Sequence, residues 1–275
     1  MKKLILPTLV LLLMGCDKED ATPNNAPDTT SDAAINALTE YVLVNKIFQD
    51  VGNSNGDAIL DAENNTAGSV GKTTLDMTSQ VEITVSPADF VNFPKTITVD
   101  FKDGTLGQDG VLRKGVVTIV STNWYGQPES THTATFQDYY HNDYKVEGTH
   151  IVENLGANED GHLEYSVEIN DGKITTKAGD VIQYQEDSKR TWISGSETPL
   201  NIWDDEYLLD GLQTGISSTG LDYSLSTIEP LHFVLVPRGI KSGVLSVDLG
   251  DIKDIELNYT NSTITILGTT YPFTK

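Results

Sequence analysis

From about Thr78 onward the hydrophobic pattern of this chain repeats every second residue, and that period restricts it to β-structure. Val81-Ile83-Val85, Ile97-Val99-Phe101, Val117-Ile119, Leu163-Tyr165-Val167-Ile169, Leu245-Val247 and Ile264-Ile266 all alternate with polar neighbours. In an extended strand such alternation puts apolar side chains on one face and polar ones on the other. Turn-forming pairs fall between the runs: Asp103-Gly104, Asp109-Gly110, Asn142-Asp143, Asp171-Gly172, Thr219-Gly220 and Asn261-Ser262. One wet face on many strands implies antiparallel pairing. Four glycines, Gly115, Gly148, Gly195 and Gly243, stand in strand-like runs, where glycine marks a bulge, a bend or a close approach. Their spacing is too irregular for a solenoid. The expected fold is mainly β, an antiparallel β-sandwich or a strongly curved meander sheet, with one N-terminal helix.

That helix follows from a different period. Ala34, Ala37, Leu38, Tyr41, Val44, Phe48 and Val51 share one face at helical spacing, and Asn36, Thr39, Lys46 and Asp50 face away; Leu43 breaks the pattern. Ser31 or Asp32 caps the start, and Gly52 with Asn53 is expected to end it. The apolar face should dock on the domain behind it, since the polar face is not basic enough for a membrane surface. Residues 17–32 hold no large apolar side chain and read as a disordered tether. The chain thus divides into residues 1–15, a tether at 16–32, a helix and connecting loop at 33–77, and an antiparallel β domain at 78–275.

The first fifteen residues are a charged start, Met1-Lys2-Lys3, and a short apolar run from Leu4 to Met14, followed by Gly15. This is the pattern of a secretory signal peptide; a run of about 11 residues is too short to span a bilayer, which takes about 20. Cys16, the single cysteine of 275 residues, follows at once. Leu13-Met14-Gly15-Cys16 resembles the lipobox of bacterial lipoproteins, in which the cysteine is acylated and becomes the mature N-terminus. Cleavage there removes Lys2 and Lys3 and leaves 16 basic against 40 acidic residues, a net charge of about −24. That charge repels nucleic-acid phosphates and anionic headgroups, so nucleic acid is excluded as a partner and attachment to the outer membrane falls to the Cys16 lipid alone. With Cys16 acylated, no thiol remains for a disulfide, a zinc site or a nucleophile. The opening Lys18-Glu19-Asp20 resembles the export tag that places lipoproteins on the outer face of Bacteroidetes cells; a merely acidic tether would leave the protein facing the periplasm. Asp28-Thr29-Thr30 looks like the O-glycosylation motif of that phylum, with Thr29 as the acceptor.

Motifs that suggest chemistry have plainer explanations. Aligned on Gly56 as a calcium loop, positions one and twelve fall on Val51 and Ala62, not on acids, so residues 51–57 read as a helix C-cap and a solvated loop. Gly71-Lys72-Thr73-Thr74 lacks the first glycine of a phosphate loop, since Thr66 stands there. His132, His141 and His150 are spaced by nine, which does not suit strand-borne zinc ligands. Trp203-Asp204-Asp205-Glu206 invites the two-carboxylate chemistry of glycosidases, against a solvated turn. No serine has nucleophile-elbow glycines around it, and no metal or cofactor is implied. Trp124, Tyr125, Tyr139, Tyr140 and Tyr144 cluster near two expected hairpin tips. Core packing explains such aromatics most simply, but on one rim they would form the best candidate binding surface in the chain.

Phe93-Pro94-Lys95-Thr96-Ile97-Thr98-Val99-Asp100-Phe101, Arg113-Lys114-Gly115 and Phe136 through Lys145-Val146-Glu147-Gly148-Thr149 resemble segments of a family of Bacteroidetes lipoproteins. With the tail from Gly239 to Phe273, the similarity spans most of residues 78 to 275. The resemblance implies an exported, β-rich lipoprotein and carries over no catalytic or binding residues. Relatives often have cysteines after the Asp100-Phe101 match and near the C-terminus, where this chain has Lys102-Asp103-Gly104 and Asn258-Tyr259-Thr260-Asn261; any disulfide of the family is therefore absent. The expected function is a non-enzymatic, surface-displayed lipoprotein that binds a glycan, a matrix protein or an envelope partner. The alternatives are a carboxylate-dependent carbohydrate hydrolase and a structural envelope component.

Overall fold

A computed structural model describes residues 29–66, 81–107, 109–195, 204–235 and 238–273. The expected signal peptide, Cys16, Lys18, Glu19, Asp20, Gly71–Thr74 and Trp203 lie outside the described residues. One helix, α1 (Thr29–Thr66), precedes fourteen strands. They are β1 (Glu82–Ser86), β2 (Lys95–Asp100), β3 (Thr105–Leu106), β4 (Leu112–Ser121), β5 (Thr131–His141), β6 (Tyr144–Ala157) and β7 (Leu163–Thr175), then β8 (Val181–Ser194), β9 (Glu206–Ile216), β10 (Asp222–Leu235), β11 (Arg238–Leu249), β12 (Ile252–Asn258), β13 (Thr263–Ile266) and β14 (Thr269–Pro272). All belong to one antiparallel sheet, in which each strand pairs with its sequence neighbour except that β2 pairs with β4 and β3 is a short partner of β4. Of the two expected forms, the chain adopts the curved meander; among the described residues no second sheet packs against it, and the sheet does not close into a barrel.

The helix lies in the hollow of this sheet. Its closest backbone approaches are to β1 and β2 on one side and to β8 and β10 on the other. On a flat sheet β2 and β10 would stand roughly 34 Å apart, at about 4.8 Å per strand. One hydrophobic cluster nevertheless joins Tyr41, Val44, Phe48, Val51 and Ile59 of the helix to inward side chains from β2 through β12, so the sheet wraps around α1. Tyr41 packs edge-on against Tyr223, with ring centroids 5.7 Å apart, and Phe48 stacks on Tyr184 at 5.4 Å. Glu40 fixes the same end of the helix by accepting hydrogen bonds from the backbone N–H of Ser218, at 2.7 Å, and from its hydroxyl, in the β9–β10 turn.

Two boundaries differ from expectation. The helix begins at Thr29, inside the expected tether, and runs through Gly52, Asn53 and Gly56 to Thr66. Glycine inside a helix costs about 1 kcal/mol relative to alanine. Here buried Val51, Ala58, Ile59, Leu60 and Ala62 hold the helix against the sheet past those positions, so residues 51–57 are helix, not a loop. Thr29 and Thr30 of the glycosylation-like motif therefore fall at the helix start, and Asp28 lies outside the described residues. Asp171-Gly172 is not a turn either. β7 continues through it as a bulge, with Asp171 at φ 53° and a register shift between Ile169 and Gly172.

The glycines meet expectation. Gly115, Gly148 and Gly243 lie inside β4, β6 and β11, each at positive φ, and Gly195 directly follows β8. At Gly115, φ is 86° and the register shifts between Lys114 and Val116; a Cβ built there would stand 2.1 Å from the Asp138 carbonyl oxygen. Gly115→Ala should therefore destabilise the protein by about 2 kcal/mol or more and lower its melting temperature by several degrees. A variant melting with the wild type would show that this bulge is not formed.

Candidate functional site

The five aromatic residues do not share a rim. Trp124 and Tyr125 sit in the β4–β5 connection, whereas Tyr139, Tyr140 and Tyr144 sit at the β5–β6 hairpin. Tyr125 stacks on His132 near the start of β5, and the seven residues from there to Tyr139 span roughly 23 Å. Trp124, Tyr125 and Tyr139 are also buried. The Trp124 indole N–H donates to the Phe90 carbonyl at 3.1 Å, and its ring packs against Phe90 and Phe93 at 5.3 and 5.1 Å. Lys95, fully buried, lies 5.1 Å from the Trp124 ring and donates to the Pro87 and Asp89 carbonyls, so Trp124 serves to pin the β1–β2 loop. Tyr125 stacks on His132 and Tyr165, and Tyr139 packs between Phe101 and Phe136. Tyr144 is half-buried against the same core, and Tyr140, also half-buried, carries the Lys114 ammonium 4.1 Å from its ring centre. Core packing accounts for this cluster.

The acids of Asp204-Asp205-Glu206 are likewise committed. Asp205 is fully buried and accepts from the Tyr207 hydroxyl at 3.3 Å. Glu206 stands 2.5 Å from His232 Nε2 and 3.9 Å from the Lys241 ammonium. The stretch is a set of paired carboxylates at the start of β9, not the solvated turn its composition suggests.

A polar seam crosses the interior, which the sequence pattern did not reveal. The inward face of β8 changes from Ile182 and Tyr184 to Glu186, Ser188 and Arg190, all buried. Glu186 accepts from the Tyr184 hydroxyl at 3.0 Å, from Ser188 at 2.5 Å and from Arg190 at 3.3 Å. Asn45 of the helix donates to the Tyr184 hydroxyl at 2.9 Å, and Gln49 to Asn45 at 2.8 Å. The Tyr41 hydroxyl donates to Gln213 of β9. A buried charge pair needs such extra hydrogen bonds to be tolerated, and together they fix the rotation and register of the helix in its trough.

A concavity open to solvent lies on the opposite face. A groove of about 460 Å³ runs across β7 to β10, lined by Asp171, Lys173, Gln183, Gln185, Thr214, Ile216 and Asp222 over a floor of Gly172, Tyr184, Gly215 and Tyr223. Along β8, Ile182, Tyr184 and Glu186 are buried while Gln183 and Gln185 are exposed, so the two amides point outward. The interior explains the hollow. A Cβ on Gly172 would meet the Phe48 ring at 3.1 Å and the Tyr184 carbonyl at 2.5 Å; one on Gly215 would meet the Tyr223 hydroxyl and the Gln183 carbonyl, both at 2.2 Å. Without those Cβ atoms the sheet draws in toward Phe48 and Tyr223. The Tyr223 hydroxyl then reaches past Gly215 to donate to the Gln183 carbonyl at 2.8 Å.

No family model, curated protein or solved structure matches the chain.

Burial holds the imidazoles of His132 and His150 down to about 4, and at His150 the Arg190 charge adds to it. In the unfolded chain a histidine titrates near 6.5. Between those values the unfolded state binds protons that the folded state refuses, so stability falls as pH drops from about 6.5 toward 4. Each histidine accounts for on the order of 3 kcal/mol over that window. Urea unfolding of His132→Asn and His150→Gln across this range should give shallower pH dependences than wild type; unchanged slopes would mean that neither imidazole is buried neutral.

Proposed function

We propose that the protein is a lipoprotein held in the outer membrane by an acylated Cys16, displayed on the cell exterior, and engaged in non-enzymatic binding of a glycan or protein partner. The observation that carries this reading is Leu13-Met14-Gly15-Cys16 behind a charged start and a short apolar run. The fold supports it. Twelve residues separate Cys16 from Thr29 and reach roughly 40 Å when extended. The first described element after them is the helix that fills the centre of the sheet, so tension on the anchor loads the core and not an edge strand. Among the described residues, no helix is long and apolar enough to cross a membrane. Asp205 and Glu206, the acids that the sequence offered for two-carboxylate hydrolysis, are committed to partners inside the fold, which favours binding over that chemistry at this stretch.

Two measurements test the reading. Intact mass of the mature N-terminus, with metabolic labelling by a fatty acid, should find a chain starting at an acylated Cys16; an unmodified cysteine or cleavage elsewhere sinks it. For display, added protease should digest the protein on intact cells, and replacing Lys18, Glu19 and Asp20 with alanine should protect it. Wild type that resists protease until the cells are lysed would place the protein on the periplasmic face.

A further inference from the structure

The groove over β7 to β10 has a composition that selects among ligand classes. Its outward rows follow from strand register. Lys173 pairs with Gln183, Gln183 with Ile216 and Ile216 with Asp222, while Gln185 pairs with Thr214 in the next row. The first row crosses four strands and spans roughly 14 Å. Gln183, Gln185, Asp171 and Asp222 are exposed, and their side chains make no hydrogen bond or ion pair to any described residue. Their donors and acceptors are therefore free to meet a ligand.

We propose that this groove is a binding site for a neutral oligosaccharide, a proposal that rests on the reading of the protein as a displayed binding protein. Each hydroxyl of a sugar is both a donor and an acceptor. A glutamine amide offers two donors and an acceptor, and a carboxylate offers acceptors only. Two amides, two carboxylates and the Thr214 hydroxyl supply both halves of that pattern along one row and its neighbour. Ile216 gives the apolar C–H face of a ring a place to rest, in the hollow left where Gly172 and Gly215 let the sheet draw in toward Phe48 and Tyr223. Anionic ligands do not fit. The only cation, Lys173, is tied to Glu147 at 2.8 Å, and Asp171 and Asp222 stand beside it. A protein partner fits poorly, because interfaces are anchored by aromatic or large apolar groups and Ile216 is the single apolar side chain on the rim. Strand addition is closed, since β7 to β10 are paired on both edges.

The experiment uses the mature, detergent-solubilised protein and a panel of neutral hexasaccharides of glucose, mannose and N-acetylglucosamine in α and β linkages. Calorimetric titration at millimolar sugar is repeated with Gln183→Ala and Gln185→Ala. These side chains face solvent, so melting temperature should not change. At least one sugar should bind wild type saturably, and each substitution should weaken it by about tenfold, the usual effect of losing one well-placed hydrogen-bonding group. Absence of binding across the panel overturns the proposal, as does binding that neither substitution affects. Preference for a random polar peptide pool over every sugar, abolished by the same substitutions, overturns it in favour of a protein site. The N-terminal mass and protease protection are measured separately, so an acylated, displayed protein that binds no sugar refutes the groove and not its setting.

Discussion

The contact between Tyr41 and Phe48 of the helix and Tyr184 and Tyr223 of the sheet is the one on which the remaining architecture depends. A single sheet of this width has an inner face that water would destabilise, and among the described residues α1 is the element that covers it. Large aromatic rings suit that task, since each buries about 150–250 Å² and bridges the gap between a helix axis and a curved sheet. They demand room in return. Gly172 and Gly215 provide it, because any side chain there would collide with Tyr184, Phe48 or Tyr223. The helix anchor, the local curvature and the outer groove are consequences of one packing arrangement.

Strands whose inner face is apolar announced themselves in the sequence. β1, β2, β4, β7, β11 and β13 alternate cleanly, and their connections carry the turn residues that hairpins need. β8 was silent for a physical reason: its inward positions include Glu186, Ser188 and Arg190, so composition alternates between two kinds of polar residue. Their mutual hydrogen bonds and the Tyr184 hydroxyl make those side chains compatible with burial, and Asn45, which holds that hydroxyl, arrives from the helix. The helix end was misplaced by the same kind of long-range effect. Gly52-Asn53 is a strong local stop signal, but the burial of Val51, Ala58 and Ile59 against the sheet outweighs it. Asp171-Gly172 shows the converse, because a dipeptide suited to a turn is equally suited to a bulge, and strand pairing on both sides decides which forms.

The site was less legible than the fold. The aromatic residues from Trp124 to Tyr144 are close in sequence yet divided by the whole length of β5, and nothing local reveals that a strand will continue for 11 residues. The groove has the opposite character. Its side chains come from four strands and meet only through register, so no window of sequence contains it. A faint signal existed in Gln183-Tyr184-Gln185, amides flanking an aromatic at period two, and in glycines placed where a strand would otherwise carry a side chain.

Wrapping a sheet around its own helix also fills the space that a ligand would occupy in a barrel. A closed barrel of comparable strand number leaves a lumen that holds a ligand. Here the equivalent space contains Tyr41, Phe48, Tyr125, Tyr139 and Tyr165, with the Glu186–Arg190 pair and two neutral histidines among them. Opening that interior would separate hydrogen-bonded charges in a low-dielectric environment, at a cost of several kcal/mol. A binding event confined to the outer face avoids that cost, because it engages side chains already solvated and leaves the core untouched. The net charge fits the same division. A net charge of −22 over the 275 residues disfavours anionic ligands at the outer face, and an uncharged, hydroxyl-rich molecule meets no such repulsion there.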